Sequence, residues 1–257
     1  MLQPDEPAPF EVVAGGSRSP FVLLCDHAGR RIPRVLGDLG LSPAELDTHV
    51  AWDIGAAGLA RKLAASLDAC AILQTYSRLV IDCNRPLDSP SSIVSLSERT
   101  HVPGNRMLSR ADAEERARSV FQPYHARIVA ELERRARARQ PSVVVTVHSF
   151  TPVYMNQGRA WHAGVLYQRD ARLAGPLLAL LRTEPDLVVG DNQPYAVSDQ
   201  TDYAVVEYGE RGGRLHVEIE VRQDLIADDA GQAEWAARLA RILPLAYAEA
   251  SSDGTVE

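Results

Sequence analysis

Two short apolar segments each lead to a histidine, and imidazole is the commonest side-chain metal ligand in proteins. Residues 21–24 run on to His27, and residues 143–147 run on to His148. Continuous apolar runs of this length predict strands that are buried on both faces. Because ligands of open α/β sheets bind just beyond the carboxyl ends of such strands, the two histidines together predict a metal site. Taken singly, each histidine is also explained as a strand cap held by a hydrogen bond.

A third metal ligand is expected on the segment that follows the first strand. A catalytic zinc has three protein ligands and one open position for water, whose pKa it lowers to about 7. His49 and Asp53 lie four residues apart, so on a helix they would share one face. We favour Asp53 as the ligand and keep His49 as the alternative. Asp53 is explained equally well as the N-cap of a helix.

Polar side chains with the chemistry of a carboxylate site follow another apolar segment. Residues 79–83 predict a short strand, and Asn84 and Arg85 come directly after it. The planar guanidinium of Arg85 matches a carboxylate through two parallel hydrogen bonds, and the Asn84 amide adds a donor beside it. Arg78 is a further cation of the same segment. The alternative is a structural ion pair between arginine and aspartate.

Two glutamates are candidates for a general base. Residues 215–221 alternate between apolar and polar types, which places Glu218 and Glu220 on one face of a strand. A carboxylate beside an activated water can take its proton and later pass it to a leaving amine. Glu220 stands at the end of the strand, but spacing alone does not choose between the two. A solvent-facing acidic strand edge explains either residue.

The elements that must position these groups alternate between helix and strand, which is typical of an α/β layer fold. We predict one domain over residues 1–257, with its core at about 20–248. Residues 88–106 predict a long surface loop of the kind that forms a rim or lid, and residues 251–257 a frayed tail. Helices are predicted at 53–67, 110–139, 171–183 and 233–247, and two strands besides those already named are predicted at 69–75 and 163–167.

Composition narrows the class of protein. The chain has 257 residues and a formal net charge of -7, so we expect neither a nucleic-acid surface nor an anionic-membrane surface. No apolar stretch approaches the roughly 18 residues of a membrane span, and the start lacks the segments of a signal peptide. Cys25, Cys70 and Cys83 form no CxxC pair and make a poor disulfide framework. A cytoplasmic protein with a small-molecule partner is the expectation.

Five motifs carry a resemblance to a known family. In chain order they are Asp26-His27-Ala28-Gly29 with Ile32-Pro33, Trp52-Asp53-Ile54-Gly55, residues 77–85, Val147-His148-Ser149, and residues 218–225. The set resembles the N-formylglutamate amidohydrolase family over about residues 21–226, which is most of the chain. That family is similar in fold to the zinc carboxypeptidases and the aspartoacylases. The resemblance implies a three-layer, zinc-exopeptidase-like α/β fold, in which helices flank a mostly parallel mixed sheet with zinc at its strand ends.

The resemblance also implies roles for particular residues. His27 and His148 would bind zinc, Asn84 and Arg85 would hold a substrate carboxylate, and Glu220 would be the general base. Beyond the resemblance, we expect Arg78 to help hold that carboxylate. Carboxypeptidases and aspartoacylases carry a glutamate ligand three residues after the first histidine, where this chain has Arg30. Asp53 is the nearest equivalent of the acidic residue that the amidohydrolases carry in the next helix.

The implied activity is zinc-dependent hydrolysis of a small N-acyl amino acid, with one zinc per chain and N-formyl-L-glutamate as the expected substrate. A deacylase of another N-acyl amino acid and a catalytically silent carboxylate-binding protein are the alternatives. The family name suggests histidine degradation. Four further features are expected to shape the pocket: His162, Tyr195, Tyr203 and the loop Asp191-Asn192-Gln193-Pro194.

Overall fold

The computed structural model describes residues 1–16 and 18–252, and its core is a seven-stranded sheet. The strand order is β1-β3-β2-β6-β11-β9-β10, and two small hairpins, β4–β5 and β7–β8, lie outside the sheet. The strands are β1 Phe10–Val13, β2 Phe21–Cys25, β3 Cys70–Gln74, β4 Leu96–Ser97, β5 Thr100–His101, β6 Val143–Phe150, β7 Val153–Tyr154, β8 Gln157–Gly158, β9 Ala163–Leu166, β10 Val189–Asp191 and β11 His216–Arg222.

The sheet is mixed and mostly parallel. β3, β2, β6 and β11 run parallel to one another, and β9 runs parallel to β10. The antiparallel pairs are β1 with β3 and β11 with β9. Adjacent parallel strands end at the same edge of a sheet, so the chain that leaves β2 emerges beside the last residues of β6.

Helices cover both faces of the sheet. They are α1 Pro43–Leu46, α2 Ala56–Leu67, α3 Arg110–Arg116, α4 Gln122–Arg137, α5 Ala174–Leu181 and α6 Asp229–Ser252, with π-helical turns at Ala117–Phe121 and Val205–Glu210. Alternate residues of β2 enter different cores: Phe21 and Leu23 pack with α2, α5 and α6, whereas Val22 and Leu24 pack with the π-helical turns and α4. The predicted three-layer α/β class is confirmed.

The predicted strand at residues 79–83 is wrong. This segment forms turns, in which the Val80 N–H donates to the Ser77 carbonyl and the Leu79 N–H donates to the Ser77 hydroxyl. Its apolar side chains are fully buried beneath α4 and the neighbouring loops. A short apolar run indicates burial, and burial alone does not distinguish a strand from a covered loop.

Other predicted elements agree with the structure apart from their ends. The predicted helix 110–139 is divided by the π-helical turn at Ala117–Phe121. The elements that were not predicted are β1, β10, the two small hairpins and the π-helical turn at Val205–Glu210. Ser251 and Ser252 belong to α6 instead of the expected tail, and residues 253–257 lie outside the described part. The three cysteines are free and buried. Among the described residues, no helix is both long enough and apolar enough to cross a membrane.

A buried histidine joins α4 to the turns that carry Asn84. The His125 Nε2–H donates to the Cys83 carbonyl at 3.0 Å, so its Nδ1 accepts from the Tyr208 hydroxyl at 2.8 Å. The ring packs against Phe121 and Tyr203. Burial lowers the pKa of His125 from 6.5 to about 4, which keeps the imidazole neutral and Nδ1 able to accept.

We expect His125 to make the protein sensitive to mild acid. The unfolded chain binds a proton at this residue below pH 6.5 and the folded chain only near pH 4. The free energy of unfolding should therefore fall as pH drops through this window, by up to about 3 kcal/mol from this group. Urea unfolding from pH 7 to pH 4 should show a shallower fall for His125→Gln than for the wild type. The exposed His101 supplies the control: H101Q should match the wild type. Parallel curves for H125Q and wild type would contradict the assignment.

Candidate active site

The two histidines predicted as metal ligands lie side by side at one edge of the sheet. His27 follows β2, and His148 is near the end of β6, its parallel neighbour. Their ring centroids are 4.9 Å apart in an edge-to-face arrangement. Both side chains are almost fully buried, with 3% and 2% of the residue exposed. The pairing of β2 with β6 thus brings together two residues that are 121 positions apart in sequence.

Asp53 approaches from the loop before α2 and joins the histidines. Its Oδ2 lies 2.9 Å from His148 Nδ1 and 3.5 Å from His27 Nδ1, and it accepts the Ser149 N–H at 3.2 Å. The Asp53 N–H donates to the His27 carbonyl at 3.0 Å, which ties the loop to the end of β2. The alternative reading of Asp53 as an N-cap does not hold, because the N-cap of α2 is Gly55 with φ of 83°.

His49, the alternative third ligand, is placed elsewhere. Its Nε2 lies 3.0 Å from Glu98 at the rim of the cavity described below. Glu98 also accepts the Met155 N–H at 2.8 Å, so it links the tips of the β4–β5 and β7–β8 hairpins. Part of the loop predicted at residues 88–106 therefore forms a rim.

The donor set of His27, Asp53 and His148 suits a divalent metal. One ligand atom from each residue lies within 4.8 Å of the other two. In a tetrahedral zinc site with bonds near 2.1 Å, neighbouring ligand atoms are about 3.4 Å apart, which is close to the spacings around Asp53. His27 Nδ1 is buried and has no hydrogen-bond partner among the described residues. Two imidazoles and one carboxylate leave an open position for water.

Two aspartates lie behind the histidines, and the sequence predicted no role for either one. Asp82 Oδ1 lies 2.7 Å from His27 Nε2, so this nitrogen carries the proton and Nδ1 is left free. Asp26 Oδ2 lies 3.5 Å from His148 Nε2. Carboxylates in this position orient metal-bound histidines and raise their basicity. Both aspartates belong to the motifs quoted above, but their spacing gives no sign of a contact with either histidine.

A cavity of about 360 Å³ opens over these donors. That volume lies within the range of about 300–1,000 Å³ common for small-molecule sites. Its walls combine the donor residues with carboxylates, arginines and aromatic rings from the surrounding loops. The lining residues are His27, His49, Asp53, Arg78, Asn84, Arg85, Ser97, Glu98, His148, Ser149, Phe150, Thr151, Tyr154, Tyr195, Ala196, Thr201, Asp202, Glu218 and Glu220.

Both candidate bases reach this cavity from β11. The strand lies between β6 and β9 and is buried, so the reading of a solvent-facing acidic edge does not hold. Glu220 is in register with His148, and its Oε2 is buried without a hydrogen-bond partner among the described residues. Glu218 is one pleat deeper, where its Oε2 accepts the Thr146 hydroxyl at 3.2 Å. Glu220 is therefore the less constrained carboxylate.

Burial and neighbouring charge shift the pKa values of these acids in opposite directions. Burial opposes ionisation of Asp53, but its close contacts with His27 and His148 hold the pKa of Asp53 well below its ordinary value. Burial raises the pKa of Glu218 to about 7. Burial, together with the negative charges of Asp53 and Glu218, also raises the pKa of Glu220 well above 4.5. Perturbed acids in a cleft are a frequent mark of functional sites.

The proposed carboxylate-binding residues differ in how free they are. Arg78 donates to Asp82 at 2.7 and 3.1 Å and lies 3.8 Å from Asp53, so the ion pair considered from sequence is present. Asn84 Oδ1 accepts the backbone N–H groups of residues 203 and 204, at 2.9 and 3.1 Å. The Arg85 guanidinium contacts only the carbonyls of Asn84 and Thr201 within the described residues. Arg85 thus retains an uncompensated charge beside the cavity.

Four features were expected to shape the pocket, and of these Tyr195 lines the cavity whereas the other three are not among the lining residues. His162 lies apart, where its Nδ1 accepts the Val188 N–H at 2.9 Å. Tyr203 packs against His125 beneath the site. The loop at residues 191–194 is outside the lining and leads to Tyr195.

The chain is similar to known proteins both in sequence and in structure. The family described as N-formylglutamate amidohydrolase matches residues 19–227. The crystal structure of a gene product from Agrobacterium tumefaciens has a TM-score of 0.93 at 37% identity, covering 96% of this chain and 98% of that one. An N-formylglutamate amidohydrolase from Ralstonia eutropha has a TM-score of 0.72 at 20% identity, covering 95% and 99%, which shows a shared fold. No curated protein gives a significant match.

The match over residues 19–227 assigns the chain to the hydrolases that act on amides. The chain belongs to the N-formylglutamate amidohydrolase family, and the resemblance predicted from its motifs is confirmed.

We expect Asp82 to tune the affinity of the candidate metal centre. Asp82→Asn would replace the anionic partner of His27 with a neutral amide and should weaken Zn²⁺ binding about 10- to 100-fold. Competition with a chromophoric chelator measures the affinity, and circular dichroism checks the fold. D88N changes an exposed aspartate of the nearby loop and should bind as the wild type does. Equal Zn²⁺ affinity in D82N and wild type would rule out this role.

Proposed function

We propose that the protein hydrolyses N-formyl-L-glutamate to L-glutamate and formate with one zinc ion per chain. The observation that supports this most directly is the cluster of His27, Asp53 and His148 beneath a cavity that also holds the unpartnered carboxylate of Glu220. Membership of the family supports the choice of reaction. In this proposal the protein acts in the cytoplasm in amino-acid metabolism, with histidine degradation as the expected pathway.

His27, Asp53 and His148 would hold the ion through two imidazole nitrogens and one carboxylate oxygen. Bound zinc would supply a Lewis acid that polarises the formyl carbonyl and acidifies water. Asp82 and Asp26 would keep the two imidazoles oriented. Burial of all five side chains excludes bulk solvent and strengthens the electrostatic interactions among them.

Glu220 would move the proton. Its carboxylate takes a proton from water as the water oxygen adds to the formyl carbon. The same proton then passes to the substrate nitrogen as the C–N bond breaks, which releases glutamate as an amine and formic acid, which loses the second water proton to solvent as formate. A single buried carboxylate can serve both steps, because it is protonated in the first and returns to its ionised form in the second.

Arg85 would fix the substrate by a carboxylate. Its guanidinium has no carboxylate within 4.0 Å among the described residues, and a substrate carboxylate would supply the missing counter-charge. This contact would hold the formyl group over the donor cluster, and correct positioning supplies a large part of catalysis.

The test of this function combines metal analysis with formate release from N-formyl-L-glutamate. The wild type should contain about one zinc per chain and release formate, and His148→Ala should lose both, because two of three ligands hold zinc poorly. His49→Ala is the matched control at the rim and should keep its zinc. Zinc without formate release would direct the search to other N-acyl amino acids. A wild type that neither binds added zinc nor releases formate would refute the proposal.

Glu220→Gln should separate chemistry from metal binding. The amide cannot accept a proton, so kcat should fall about 10²- to 10⁴-fold while the zinc content stays near that of the wild type. Glu218→Gln is the matched control on the same face of β11, and it should lose less because Glu218 is held by Thr146. A larger loss of turnover in E218Q than in E220Q would assign the base to Glu218. Wild-type-like turnover in both variants would mean that neither residue is the base.

A further inference from the structure

The hairpin that borders the cavity carries a cation that the proposed chemistry does not use. Arg159 follows β8, and its guanidinium carbon lies 4.8 Å from the ring centroid of Tyr154 and 4.7 Å from that of Tyr195. Phe150 is 5.8 Å away. All three aromatic residues line the cavity, so Arg159 is held at the cavity wall by cation–π contacts.

The charge of Arg159 is not neutralised by the protein. Its Nη1 donates to the Tyr195 hydroxyl at 2.7 Å and to the Thr151 carbonyl at 3.5 Å. Within residues 1–16 and 18–252, no carboxylate lies within 4.0 Å of its guanidinium. Arg78, in contrast, is paired with Asp82. An arginine that is positioned by three rings but has no counter-ion is well prepared to bind an anion.

Two arginines without a carboxylate partner therefore lie at this site: Arg85 lines the cavity, and Arg159 lies against three aromatic residues of its wall. Arg85 belongs to the turns that follow β3, whereas Arg159 belongs to the hairpin that follows β6. The Tyr195 hydroxyl accepts from Arg159 and keeps its own proton available for donation. Burial raises the pKa of Tyr195 to about 12, so the hydroxyl remains protonated at neutral pH.

We propose that Arg159, with Tyr195, binds a second carboxylate of the substrate and makes the enzyme selective for N-acyl derivatives of dicarboxylic amino acids. The inference rests on the proposed amide hydrolysis and adds its specificity determinant. Arg85 holds the α-carboxylate and Arg159 holds the side-chain carboxylate, with the acyl group between them over the donor cluster. The aromatic contacts restrict the guanidinium before the substrate arrives, which lowers the entropy lost on binding.

The test compares N-formyl-L-glutamate with N-formyl-L-glutamine, which has nearly the same shape but no second negative charge. The quantity measured is the ratio of kcat/KM for the two substrates. Arg159→Gln should lower this ratio about 10- to 100-fold, the usual contribution of a hydrogen bond to a charged group. The change should appear mainly in KM for the glutamate substrate, and Arg159→Lys should recover part of the ratio by restoring the charge.

Arg30 provides a matched control, because it stacks on Trp52 at 5.4 Å but is paired with Asp47 outside the cavity. R30Q should leave the ratio unchanged. A ratio in R159Q equal to that of the wild type would overturn the inference, whether both substrates are affected equally or not at all. Equal losses would mean that Arg159 only supports the hairpin.

Binding of glutarate separates this inference from the proposed function. Calorimetry should show that R159Q weakens glutarate binding more than it weakens binding of glutaric acid monoamide. If the wild type hydrolyses neither formyl substrate but this binding difference is present, the proposed reaction fails and the dicarboxylate site stands. If neither turnover nor the binding difference is observed, both fail.

Discussion

The site depends on the contact of one buried carboxylate with two imidazoles. A carboxylate removed from water is strongly destabilising unless it is paired, and Asp53 meets His27 and His148 through the same oxygen. Its backbone N–H donates to the His27 carbonyl, which joins the loop before α2 to the end of β2. Asp53 therefore sets the spacing of the candidate metal ligands and covers the edge of the sheet at which they lie.

Sequence patterns were sufficient to predict the parts of the site that follow from strands. Apolar runs predicted β2 and β6, and the rule that ligands lie beyond strand ends placed His27 beside His148. Proximity of Asp53 to this pair was foreseen from its position at the start of a helix. The same reasoning failed at residues 79–83, because a buried loop and a buried strand have the same apolar composition.

Contacts across long separations were beyond what local patterns can show. Asp82 reaches His27 over 55 positions, and Glu98 reaches the backbone of Met155 over 57. Neither contact repeats with a helical or strand period, so nothing in the spacing signals it. Alternation of apolar and polar residues predicts which face of a strand a side chain occupies, but not how deeply neighbouring elements bury it. The deeper position of Glu218 relative to Glu220 could therefore not be predicted. Contacts made by hairpins and turns are accordingly the part of the site that the sequence predicts least.

The surplus of acid beneath the cavity has a thermodynamic consequence. Five buried carboxylates, Asp26, Asp53, Asp82, Glu218 and Glu220, lie with Arg78, Arg85 and two histidines at this site. Folding gathers these carboxylates, so a cation bound among them would favour the native state over the dispersed unfolded chain. By linkage, a cation at 100 times its Kd raises the free energy of unfolding by about 2.7 kcal/mol. Thermal stability should thus follow the concentration of free cation, and the fold itself acts as a reporter of occupancy.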